Sequence, residues 1–427
     1  MREMKDSGVK TLGLIPSCWT TKKLKYVINS ITTGLNPRNY FVLGDGDCFY
    51  VTIRNFRNGK ILLDDNCDRI TPEIKTLINK RSKLEKGNIL FASISDEGRA
   101  YLIENSPDNW DINESVFSIK PQNNIDSRFL FYILTDYHFY KPLKINSTGS
   151  TFTSIKQDML LNGTLVYPPI DEQKRIATYL DEQCRKIDEI MADIQSQFDT
   201  LENYRKSVIS EAVTQGLNPN VEMKETDMGW IKQVPAKWNI SRIASVYELR
   251  NEKVSDKDYQ PLSVTMKGVL PQLDTVAKSD AHDDRKLVRK GDFAINSRSD
   301  RRGSCGIAPC DGSISLINTV LCPLTNMNPI YYNWLFHTTE FADEFYKWGH
   351  GIVDDLWTTG WQEMKNILIP VPPVQEQEEI AKYLNKKCAD IDSIIEDKKA
   401  QFETIENYKK SLIYEYVTGK KEVPENE

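Results

Sequence analysis

Pro168-Pro169-Ile170-Asp171-Glu172-Gln173 returns as Pro372-Pro373-Val374-Gln375-Glu376-Gln377, and the rest of the 427-residue chain is arranged around these two stretches. Residues 168–214 align without gaps on 372–418, with 25 of 47 positions identical. A repeat of this length is an organising feature of a fold. The first copy carries Ile176-Ala177, Tyr179-Leu180, Cys184, Ile187-Asp188, Gln197-Phe198 and Glu202-Asn203-Tyr204. The second carries the same residues from Ile380-Ala381 to Glu406-Asn407-Tyr408.

Within the first copy, Leu180, Cys184, Ile187, Met191, Ile194, Phe198, Leu201, Arg205, Val208 and Ala212 are spaced alternately four and three residues apart. That is the seam of a coiled coil. In the second, the seam is Leu384, Cys388, Ile391, Ile395, Lys398, Phe402, Ile405, Lys409, Leu412 and Tyr416, and neither run holds glycine or proline. The double proline ends a strand and launches each helix, while Gly216 and Gly419 stop them. At 1.5 Å per residue, a helix of about 40 residues is about 60 Å long. Two long amphipathic helices in one chain most simply pack on each other.

Each helix follows a domain-sized segment, and those segments repeat weakly. Ile15-Pro16-Ser17-Cys18-Trp19 answers Val234-Pro235-Ala236-Lys237-Trp238, and Lys86-Gly87-Asn88 answers Lys290-Gly291-Asp292. The expected architecture is therefore globule, helix, globule, helix: 1–167, 168–216, 217–371 and 372–420, with a tail at 421–427. The expected fold class is α/β, in the α+β sense, in two globular copies joined by two long helices that form an antiparallel coiled coil.

A formal net charge of −6 argues at first against a nucleic-acid partner. The placement of the charge removes that objection. Residues 171–211 carry a net −4 and residues 372–415 a net −3, so the rest of the chain is close to +1. The acidity sits in the two helices. No apolar run approaches the eighteen or more residues that span a bilayer, and the first thirty residues lack a signal pattern, so a cytoplasmic protein is expected. The eight cysteines are dispersed and the four histidines far apart. No metal site is expected in this chain.

The layout, with PxxW opening each globule, a Lys-Gly-Asn/Asp step inside it and PPxxEQxxIAxYL opening each helix, resembles the DNA-specificity subunit of type I restriction-modification systems over essentially the whole chain. The resemblance implies two target recognition domains, each reading half of a bipartite site on double-stranded DNA, with antiparallel helices as the ruler between them. It implies methyltransferase subunits, two of them expected, docked on the helices, and restriction/translocase subunits beyond. This chain would be non-catalytic and hold no cofactor, with S-adenosylmethionine, ATP and Mg²⁺ on the partner subunits.

Candidate DNA-reading residues follow from side-chain chemistry. In the first globule, Arg54, Asn55, Arg57, Asn58 and Lys60 combine guanine- and adenine-capable groups with turn residues. Ser95 and Arg99 lie just beyond the strand-like Asn88-Ile89-Leu90-Phe91. The polar loop with Thr148, Ser150, Thr151 and Thr153, followed by Lys156, suits phosphate or base-edge hydrogen bonds. In the second globule, the run Asn296-Ser297-Arg298-Ser299-Asp300-Arg301-Arg302-Gly303-Ser304 follows the apolar Phe293-Ala294-Ile295. Arg298, Arg301 and Arg302 are shaped for bidentate contact with guanine or phosphate, and Asn296 and Ser299 flank them. His350 and Thr358 match the first globule's Ser/Thr loop in position. Tyr204 and Tyr408, at equivalent places on the helices, are either partner contacts or seam packing.

Two other readings stay open at this point. One is a structural coiled-coil adaptor that binds protein only, which has no need of the arginine run or of two divergent globules. The other is a nuclease, for which Asp64 with Glu73-Ile74-Lys75, or Glu363-Met364-Lys365, imitates a D...ExK metal site. No GxxxxGK[ST] phosphate loop and no Asn/Asp-Pro-Pro-Tyr/Phe run is present.

Overall fold

The computed structural model describes residues 2–9, 12–36, 43, 44, 46–57, 59–94, 100–145, 154–272, 284–324, 326–351 and 357–424. Two compact units divide the chain, one of Met1–Ile194 with Ala400–Glu427 and the other of Gln195–Lys399. The helices described are α1 (Pro72–Asn79), α2 (Ser127–Thr135), α3 (Tyr137–Ile145), α4 (Gln157–Asn162), α5 (Ile170–Gln215), α6 (Pro329–Phe336), α7 (Thr339–Lys347), α8 (Trp361–Met364) and α9 (Val374–Val417). α5 and α9 each contribute to both units. No helix among the described residues is long and apolar enough to cross a membrane.

The first unit is built on an antiparallel sheet with strand order Ala100–Leu102, Ile89–Ala92, Val116–Pro121, Ile28–Thr33. Strand side chains alternate between faces. Ile89 and Phe91 face a core shared with Trp19, Phe129, Ile176, Leu180 and Leu412. Leu90 turns to a smaller core on the other face, with Phe56, Trp110, Ile112 and Val116. The second unit repeats the order with Cys305–Ile307, Phe293–Asn296, Asn318–Pro323, Tyr247–Arg250. There Phe293 and Ile295 face Trp238, Tyr331, Phe336 and Leu384. Ala294 and Val320 turn to the far side, against Leu262, Val269 and Ile314.

The repeated motifs are the joints of this frame. Trp19 and Trp238 are fully buried. Each backbone N–H donates to the carbonyl of the proline three residues before it, at 2.9 Å. Trp19 meets Phe129 edge-on and Trp238 meets Tyr331 likewise, both at 6.4 Å. The glycines that stop the helices land on these motifs: Gly419, at φ +70°, sits where a Cβ would be 2.6 Å from the Pro16 ring, and Gly216, at φ +77°, lies against Trp238. Positive φ and close approach together explain both glycines. The Lys-Gly-Asn/Asp step turns the chain into a sheet strand, with Gly87 at φ +87° and Gly291 at φ +93°. In the second unit its Asp292 accepts from the Arg250 guanidinium at 2.5 and 3.2 Å.

The glutamine of each PPxxEQ motif ties helix to globule. Gln173 and Gln377 are each 1% exposed. Their amides donate back to the carbonyls of Pro168 and Pro372 at 2.9 and 2.8 Å. Their carbonyl oxygens accept from Asp126 N and Asn328 N, the residues that cap α2 and α6.

The seam read from the heptads faces inward. Leu180, Cys184, Ile187, Leu384, Cys388 and Ile391 are buried. In the first unit α5 and α9 run antiparallel, with Tyr179 against Tyr416 and Asp188 paired to Lys409 at 2.6 Å. In the second, Arg205 pairs with Asp392 at 2.8 Å and Lys387 lies over Tyr204 at 5.4 Å. Arg205 and Lys409, which occupy equivalent seam positions of the two copies, thus reach across to equivalent aspartates, which fixes the register.

Candidate nucleic-acid interface

In the second unit the strand Phe293–Asn296 runs on into Ser297 and Arg298, which meet Thr358 and Thr359 arriving from the other end of the unit's sequence. Arg298 pairs with Thr358, and Thr358 pairs in turn with His350, all antiparallel. Thr359 N donates to Ser297 O at 2.9 Å, and Ser299 N to Trp357 O at 2.9 Å. The arginine run and the His350/Thr358 segment, far apart in sequence, are therefore one surface. Ser297 is buried and bonded to Thr319 at 3.0 Å, so it anchors the loop from below.

Each arginine of that loop rests against a carboxylate. Arg298 and Arg301 share Asp300 at 3.2 and 3.8 Å, and Arg302 reaches Asp343 at 2.8 Å while lying over the Tyr346 ring. Tyr346 in turn donates to Arg301 O at 3.2 Å. Arg301 and Arg302 remain 68% and 61% exposed. Asn296 accepts from Arg298 N at 3.1 Å through its side chain, shaping the loop. Such fans of guanidinium groups on a tight turn suit base edges and phosphates alike.

The first unit has the same junction. Ile94 pairs antiparallel with Ser154, and Ile155 N donates to Ser93 O at 2.8 Å. Ser93 and Ile94 thus stand where Ser297 and Arg298 stand, and Ser154 and Ile155 where Thr358 and Thr359 do. Ser95, Arg99, Thr148, Ser150, Thr151 and Thr153 lie outside the described residues, as does Asn58. Lys156 is exposed at the start of α4.

The structure separates the remaining first-unit candidates. Arg54 is exposed, and Arg57 and Lys60 face each other across the short hairpin Phe56–Arg57/Lys60–Ile61, both exposed. Asn55 belongs to the fold. It is 8% exposed, its Oδ1 accepts from Thr52 N at 2.8 Å, and its amide donates to Leu62 O at 3.2 Å. The nuclease-like tripeptides also have structural tasks. Glu363 accepts from Gly360 N at 3.1 Å in the first turn of α8, and Glu73 sits in the first turn of α1 where a Thr71 hydrogen bond lowers its pKa. Among the described residues no three metal-capable side chains cluster.

Tyr204 and Tyr408 stand outside the seam, 46% and 58% exposed. Both directly precede a polar seam residue, Arg205 and Lys409. The Asp188–Lys409 pair brings Tyr408 level with exposed Ile190, and the Arg205–Asp392 pair brings Tyr204 level with exposed Ile394. Each unit therefore carries one Tyr/Ile patch of the same composition.

These features define a class: two recognition units of one frame and different loops, each coupled to a repeated long helix. A family model described as the type I restriction modification DNA specificity domain matches residues 16–210. The MjaX type I restriction enzyme specificity subunit of Methanocaldococcus jannaschii is 26% identical, with the match covering 96% of this chain and 95% of that one. The EcoBI specificity subunit of Escherichia coli is 21% identical over 72% of this chain and 69% of that one. A solved chain from a structure described as the basis of complex assembly and conformational transition of the type I R-M system superposes with a TM-score of 0.64 at 16% identity, covering 94% and 98%. Over nearly its whole length the chain is similar to the type I restriction-modification DNA specificity subunits.

Proposed function

We propose that each unit reads one half of a gapped DNA target through the loop junction at the end of its sheet, and that the chain carries no catalysis of its own. The observation behind this is the repeated junction, Ser93-Ile94 with Ser154-Ile155 and Arg298 with Thr358, set on sheets of the same strand order but furnished with different side chains. An adaptor for protein alone has no use for a constant frame with unlike loops.

The two equivalent Tyr/Ile patches take two copies of a methyltransferase subunit, which bring S-adenosylmethionine, while ATP and Mg²⁺ act on restriction subunits. The assembly works in the cytoplasm, where the target DNA is. The test is a co-purification of the chain with the methyltransferase subunit encoded beside it, followed by transfer of labelled methyl groups from S-adenosylmethionine to DNA. Methyl transfer by the complex, and none by either protein alone, is the expected result. Transfer by this chain alone, or by the methyltransferase alone at the same sites, would overturn the assignment.

A further inference from the structure

In the second unit a hairpin of Leu262–Thr265 and Gly268–Pro271 lies across the outer face of the sheet, with Leu262 and Val269 packed on Ala294 and Val320. Its tip is Met266-Lys267, a pair that side-chain chemistry alone does not single out in the sequence. Met266 is 73% exposed, the most open of the large apolar side chains among the described residues. Single exposed apolar residues are ordinary on a protein surface. Three observations set this one apart.

The tip is rigid: Thr265 Oγ1 donates to Gly268 O at 2.9 Å and accepts from Lys267 N at 3.1 Å, and Gly268 takes φ +104°. The tip is also aimed. The hairpin base lies at Gly312–Ser313, where Pro261 pairs with Ser313, while Gly268 at the tip packs on Gly306, so closely that a Cβ there would be 2.7 Å from the Gly268 Cα. Gly306 belongs to the strand leaving the arginine loop, so Met266 and Lys267 project toward the same end of the unit as Arg298–Arg302. Lastly, the first unit keeps a hairpin on the corresponding face, where Phe56 packs with Leu90, and its tip is basic, with Arg57 and Lys60.

We infer that this hairpin is a second DNA-contacting element of the unit, with Met266 an apolar wedge against base steps and Lys267 a phosphate contact. The inference rests on the DNA-reading function proposed above. Unbranched apolar side chains displayed on rigid turns are suited to partial insertion between base pairs, and an adjacent lysine supplies the point charge that holds the backbone in place.

The test uses the complex with the methyltransferase subunit, the methylation motif read by sequencing, and binding to a duplex carrying that motif across a salt series. Lys267→Ala should weaken binding at all sequences and reduce the salt slope by about one. Met266→Ala should weaken cognate binding about tenfold with the slope unchanged, and relax base choice only in the half-site that Arg298→Ala also relaxes. Met266→Leu should restore it. Wild-type binding and motif in both alanine variants, with the arginine variant impaired, would overturn the inference and leave the reading function intact. A wild-type complex with no DNA preference would remove both.

Discussion

Arg298, Arg301 and Arg302 face carboxylates in the free chain, and the exposed ion pairs of Arg301 and Arg302 contribute only about 0–1 kcal/mol each. Exchanging Asp300 or Asp343 for guanine or phosphate therefore costs little. Replacing all three arginines by Ala should relax one half-site while the other keeps its selectivity, as read from the methylation motif; an unchanged motif would make the loop a solvated turn. Arg57 and Asn55 look alike as base readers in the sequence, yet only Arg57 is free to read. The bonds of Asn55 to Thr52 and Leu62 depend on a turn that composition does not reveal. Asn55→Ala should cost on the order of 1–2 kcal/mol in denaturant unfolding, whereas Arg57→Ala should leave stability unchanged. Asp111 is a different case. It is fully buried, its Oδ2 has no partner among the described residues, and burial pushes its pKa up to about 7. A carboxyl with a raised folded pKa stabilises at low pH, and that contribution is lost as pH rises from the unfolded value, near 4, through 7. Asp111→Asn should therefore raise the Tm at pH 8 and leave it nearly unchanged near pH 4. An equal shift at both pH values would contradict the burial argument.

At the scale of elements, the long helices were legible because a 4-3 apolar spacing survives in any context and the two copies confirm each other. The role of the motif glutamines was not legible, since their partners, Asp126 and Asn328, lie about 50 residues away in sequence. Gln377→Leu leaves a buried carbonyl and a buried N–H without partners, and should cost roughly 2–4 kcal/mol. The hairpin at Met266 escapes a sequence reading because Met-Lys is no turn signal; only Gly268 marks the bend. The tyrosines were ambiguous in the heptad, and the structure leaves both exposed outside the seam. Removing one patch with Tyr204→Ala and Ile394→Ala should reduce the bound methyltransferase from two copies to one in native mass spectrometry. Two copies still bound would place the docking surface elsewhere.

For the molecule as a whole, the repeated sheet order, the paired PxxW joints and the matched helix ends make one frame used twice. The frame could be anticipated from the repeat. The joining of the candidate loops could not, because the surface proposed to read DNA is assembled from segments as distant in sequence as Arg298 and Thr358. If helix length sets the unread spacer, inserting one heptad at matching points of α5 and α9 should lengthen the spacer and leave both half-sites unchanged. The measurement that bears most directly on the account is single-molecule sequencing of host DNA for methylated adenine, with and without this chain beside its methyltransferase. A two-part motif interrupted by unread bases, present only with the chain, is the predicted result. A contiguous motif, or an identical methylation pattern without the chain, would contradict it.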